Sequence, residues 1–174
     1  MAMNTSQPTD AVSQLCPQCG LCCNGVLFAD VELQKGDDAR RLAALGLSLV
    51  KKERQTAFFQ PCAGFDGKLC RIYPERPVRC RTFECALLKQ AQAGTMDVKA
   101  ALKTIAEARR RTDKVRGLLR DLGQKDEGLA LTKRYVQVMS GPIDLSGGEA
   151  VAELRSRLML AVEDLMQMFQ RDFL

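Results

Sequence analysis

What this chain of 174 residues can fold into is constrained above all by its cysteines: eight of them, all before residue 86, and no histidine anywhere. Four are crowded into one octet, Cys16-Pro17-Gln18-Cys19-Gly20-Leu21-Cys22-Cys23. Cys62, Cys70, Cys80 and Cys85 follow after a gap. Thiolate is therefore the only soft ligand available, supplied in one concentrated block. That points to a metal or an iron–sulfur cluster, held in a small loop-rich module.

An even count also permits four disulfides. Two observations turn the reading toward metal. Neighbouring cysteines such as Cys22 and Cys23 rarely meet disulfide geometry. The first ten residues have neither the basic region nor the apolar segment of a secretory signal, so a cytoplasmic placement with reduced thiols is expected. No run of about 18 apolar residues exists, so no membrane contact is expected.

The hydrophobic fraction of 46% is ordinary for a globular chain of one-domain length. The formal charge of +5 counts thiols as neutral. Eight thiolates around two divalent ions would bring it to about +1. The basic balance therefore says little about a nucleic-acid partner.

Three segments are expected: a disordered tail over 1–14, an eight-cysteine metal or cluster module over 15–86, and a helical region over 87–174 packed with it as one domain. Within the module, 25–31 reads as a strand and 37–45 as a short helix ended by Gly46. Short strands are expected over 47–50 and 56–59. Asp66-Gly67 signals a turn that puts Cys62 and Cys70 on a hairpin. Tyr73-Pro74 and Arg76-Pro77 interrupt regular structure before Cys80.

The second half reads as helices over 83–93, then from a Thr95 cap to Leu122, then over 127–139. A last helix opens on a Ser146/Glu149 capping-box pattern. Val98, Ala101, Leu102, Ile105, Ala108, Thr112, Val115, Leu119 and Leu122 make one stripe. Val151, Leu154, Leu158, Ala161, Val162, Leu165, Met168 and Phe169 make another. Gaps of three and four predict that the two long helices pack antiparallel on these stripes, with a protein partner or homodimer as the competing use of the same face.

Two residues between cysteines let successive thiolates converge on one ion. Zinc takes four in a tetrahedron, and a cubane cluster commonly starts with C-x2-C-x2-C. Cys16, Cys19 and Cys22 match that triplet. Cys23 cannot readily join Cys22 at one ion, because neighbouring side chains point in different directions. Two four-thiolate sites fit the count, and so does one site with spare thiols; spacing does not pair cysteines to sites. Arg71, Arg76, Arg79 and Arg81 lie among the later cysteines, where a guanidinium lowers thiol pKa and hydrogen-bonds sulfur.

These residues carry a resemblance. Cys16-x2-Cys19-Gly20-x-Cys22-Cys23, then Pro61-Cys62, then Cys70-x-Ile72-Tyr73-x2-Arg76-Pro77-x2-Cys80-Arg81-x-Phe83-x-Cys85 resembles the CxxCxxCC cysteine-cluster family, of the YkgJ type, over roughly 15–86. The resemblance implies a zinc- or iron-chelating module and names no reaction. No nucleotide or hydrolase motif is present, and the lack of histidine removes the usual general base.

The reading is thus an α+β protein, a cysteine module with short strands leaning on long antiparallel helices. Its expected function is to bind zinc or iron, as ions or an iron–sulfur cluster, at one or two sites through Cys16, Cys19, Cys22, Cys23, Cys62, Cys70, Cys80 and Cys85. The role would be structural, metal handling or redox. One alternative is an iron–sulfur enzyme with a substrate pocket near the 71–81 segment. Another is a zinc-stabilised adaptor that binds protein or nucleic acid through the basic helix bearing Arg109, Arg110 and Arg111. A solvated helix face is preferred for that run, and nucleic acid is not an expected partner.

Overall fold

Apolar residues at gaps of three and four make the long helices, and two separate apolar cores organise everything else. The computed structural model describes residues 10–53, 55–141 and 148–174. Its elements run α1 (Asp10–Cys19), β1 (Asp30–Glu32), α2 (Ala39–Ala44), β2 (Leu49–Lys51), β3 (Thr56–Phe59), α3 (Val78–Thr82), α4 (Ala86–Gln92), α5 (Val98–Asp121), α6 (Leu131–Ser140) and α7 (Gly148–Asp172). A 3-10 turn covers Tyr73–Glu75. The fold is α+β, with short strands and a helical second half.

The first core belongs to the helices. Ala101, Ile105, Ala108, Thr112, Val115 and Leu119 of α5 are all buried, as their spacing requires. They meet Leu158, Ala161, Leu165, Met168 and Phe169 of α7. The two long helices thus pair with each other. Arg111 Nη1 reaches Asp164 Oδ1 at 2.6 Å across the pair. The cap of α5 is Asp97, not Thr95: its carboxylate accepts from the Ala100 N–H at 2.9 Å. The Thr95 hydroxyl is used elsewhere, donating to the Gln90 carbonyl at 3.1 Å. The expected Ser146 cap lies outside the described residues.

α6 starts four residues later than its expected origin at 127. Arg134, only 1% exposed, bends back to the preceding loop. It donates to Glu127 at 2.8 and 3.1 Å and to the Gln124 carbonyl at 3.0 Å. Glu127 therefore serves as a side-chain acceptor in a loop instead of opening a helix.

Two helices were not expected, the short α3 that carries Cys80 and, more consequentially, α1. Residues 10–14 fall in the segment read as a tail, yet they begin α1, and Ala11 and Leu15 are buried in the helical core. The sequence signal is the four-residue gap from Ala11 to Leu15, masked by the loop reading of C-P-Q-C. α1 packs on α4 and α5, which fastens the first two cysteines to the helical half.

The second core belongs to a three-stranded antiparallel sheet of order β1-β3-β2. Asp30 stands opposite Phe59, and Leu49 opposite Phe58. Val31, Leu42, Leu47, Phe58 and Ile72 are its buried residues. The expected strand over 25–31 shrinks to β1, because the chain before it is tied in turns. The Leu27 N–H bonds back to Leu21 at 3.0 Å, and Val26 is buried in the helical core instead. α2 begins at Ala39, two residues inside the expected 37–45, because Asp38 serves as its cap; Gly46 follows at φ +94°, as anticipated.

Candidate metal centre

The first cysteines ride on the end of α1. Cys16 and Cys19 are three residues apart on one helix and share a face. Gly20, at φ +67°, ends the helix, its N–H bonding the Cys16 carbonyl at 3.2 Å. A Cβ there would stand 2.8 Å from the Phe65 ring, so the chain passes this point only as glycine. The Gly20 carbonyl then accepts from both Cys23 and Asn24 at 3.0 Å. That turn brings Cys22 and Cys23 back toward the module.

The later cysteines arrive on four supports. The Cys62 N–H donates to the Cys23 carbonyl at 2.8 Å, a backbone tie between the two cysteine groups. Asp66 closes the expected turn by accepting from Lys68 at 2.9 Å and Leu69 at 2.7 Å, and Phe65 bridges to Cys70. Cys80 lies on α3, whose first N–H, at Val78, donates to Asp37 at 2.7 Å. Cys85 is the N-cap of α4, its sulfur accepting from the Leu88 N–H at 3.4 Å.

All eight thiols are free, and all but the exposed Cys16 are half-buried. Burial pushes Cys19, Cys23 and Cys80 up to about 12 and Cys22 well above its ordinary value. Cys16, Cys62 and Cys85 are raised for the same first reason. Neighbouring sulfurs add to the effect in most of them. For Cys85 the N–H groups at the start of α4 oppose it, as a helix N-terminus does for a developing thiolate. With no cation present these groups stay protonated at neutral pH.

The arginines divide by role. Arg76 lies over the Tyr73 ring at 3.6 Å and donates to the Tyr73 carbonyl at 3.1 Å and the Cys80 carbonyl at 3.5 Å. Its charge opposes the rise at both Cys16 and Cys80. Arg71 turns instead to the Ala63 carbonyl at 2.8 Å, and Arg79 and Arg81 are exposed. The contributor not foreseen is Arg109. It donates to the Gln18 carbonyl at 2.7 Å, and its charge reaches Cys19. Its neighbours Arg110 and Arg111 both pair with Glu107 at 2.7 Å. The basic run is therefore largely tied down, and its first member faces α1.

The donor set fits a thiophilic ion: soft sulfur ligands, mostly half-buried, whose ionised form the nearby Arg76 and Arg109 charges only partly offset against burial. The thiols are gathered but not closed. Among the described residues, no group of three or more cysteine, aspartate or glutamate side chains stands ready to hold an ion. No helix of the described residues is long and apolar enough to cross a membrane.

No curated protein and no solved structure matches the chain significantly. The CxxCxxCC family, described as a "putative zinc- or iron-chelating domain", matches residues 15–107, more than half of the chain. The match runs past the last cysteine, through α4 and into α5, further than the 15–86 module read from spacing. These are the helices on which α1 packs. The chain belongs to the CxxCxxCC family of zinc- or iron-chelating domains.

Proposed function

We propose that the eight thiols, Cys16, Cys19, Cys22, Cys23, Cys62, Cys70, Cys80 and Cys85, chelate zinc or iron, the iron as ions or as an iron–sulfur cluster. The carrying observation is that seven of the eight free thiols are half-buried, five of them packed against one or other of two apolar cores. A metal ion displaces the proton of a buried thiol to solvent, so chelation couples ion binding to proton release and to ordering of the module. Zinc would crosslink the loops, and a cluster would add electron transfer.

The enzyme reading asks for a substrate pocket near the 71–81 segment. A groove of about 440 Å³ lies instead between α1, the 66–69 turn and α5, with Gln18, Lys68 and Arg109 in its lining and no cysteine among its lining residues. The adaptor reading loses support from the ion pairs that occupy Arg110 and Arg111.

Metal and acid-labile sulfide analysis of protein purified without oxygen, with its visible spectrum, tests the proposal. Zinc or iron at one or more ions per chain supports chelation. Near-equal iron and sulfide with visible absorption selects the cluster. Protein that stays metal-free after anaerobic incubation with excess zinc and with excess ferrous iron overturns it.

A further inference from the structure

The sequence leaves open how eight cysteines share their ions. The fold separates them. Cys19 and Cys85 pack against the helical core, while Cys62, Cys70 and Cys80 pack against the sheet core. Cys16 shares α1 with Cys19, and α1 packs on α4, whose N-cap is Cys85. On the other side, Cys23 is tied to Cys62 through backbone at 2.8 Å. Cys62 and Cys70 flank the Asp66 turn, and α3 carries Cys80 against β1.

We propose that the chain makes two distinct four-thiolate sites, Cys16, Cys19, Cys22 and Cys85 on the helical side and Cys23, Cys62, Cys70 and Cys80 on the sheet side, divided at the Cys22–Cys23 peptide bond. This rests on the chelation reading above. Adjacent side chains leave the backbone in different directions, so one dipeptide serves two centres without strain. Four thiolates complete a tetrahedral shell, so neither site needs a ligand from the other.

Because Cys22 and Cys23 are adjacent in the chain, the two sites are neighbours.

Anaerobic titration of the full chain with cobalt(II) tests the division, because thiolate coordination of cobalt gives intense charge-transfer absorption. The wild type is expected to bind two ions in all-thiolate sites. Cys85→Ser and Cys70→Ser should each lose one such site and keep the other. The within-set pair Cys19→Ser with Cys85→Ser should still keep one, whereas Cys85→Ser with Cys70→Ser should keep none. Alkylation mapped by mass spectrometry on wild-type protein loaded with one equivalent needs no variant. It should show protection in the stated blocks of four. Saturation at one ion, or protection mixing the two blocks, overturns the division while leaving chelation intact. A wild type that binds no cobalt, zinc or iron overturns both.

Discussion

The Arg76 guanidinium stacks on Tyr73, donates to two backbone carbonyls and projects its charge onto Cys16 and Cys80. These two thiols fall in different proposed sites. Each four-thiolate site carries net negative charge even with a divalent ion, so one half-buried cation between them offsets repulsion for both. Arg76→Gln should weaken cobalt(II) binding at both sites, by about tenfold, the lower end for partners that support metal ligands. Arg76→Lys keeps the charge but loses the planar fork and should fall between. Competition titrations against a chelator measure this. An effect confined to the Cys80 site would show that Arg76 serves only the sheet side. Arg79→Gln, exposed and on the same segment, is the control and should change little.

The joint between α5 and α6 depends on one buried side chain. Arg134 is 1% exposed, while its partner Glu127 is half exposed, and Arg116 and Arg120 also approach that carboxylate. Burial works to raise the Glu127 carboxyl, but the hydrogen bond and charge of Arg134, with Arg116 and Arg120, hold it below its usual range. A carboxyl lowered by folding contributes stability that is complete above the unfolded value of about 4.3. That contribution is lost as pH falls through the lowered folded value. Denaturant unfolding should therefore show Glu127→Gln less stable than wild type at pH 7, with the gap closing toward pH 3. A gap that stays constant with pH would mean that the carboxylate charge does not hold this joint.

At the scale of the whole molecule, the two cores differ in self-sufficiency. The helical core gathers buried residues from α1, α4, α5, α6 and α7, whereas the sheet core has five buried side chains and leans on Cys62, Cys70 and Cys80. A core that small supports little ordered chain, so the module around it depends on crosslinks. Removing metal with a chelator should leave most helical circular dichroism in place. Amide exchange should rise across 20–85 and stay slow in the middle of α5 and α7. Exchange rising uniformly along the chain would show that module and helices unfold as one unit.

Much of this was legible in the sequence because it depends on local chemistry. The stripes of α5 and α7, the β3 strand, the Asp66 turn, the Gly46 stop and the family motif all follow from residue type and spacing. The choice of Asp97 over Thr95 as cap and the late start of α6 did not, because each turns on a competing hydrogen bond to residues just before it in the chain. Likewise α1 looked like tail and loop, since its helicity comes from burying Ala11 and Leu15 against helices about ninety residues away in the chain. Spacing supplied eight thiols and the clash at Cys22 and Cys23. Only tertiary structure placed Cys85 beside α1, Cys23 beside Cys62 and Arg109 against Gln18, because which thiols can share an ion is set by which elements pack together.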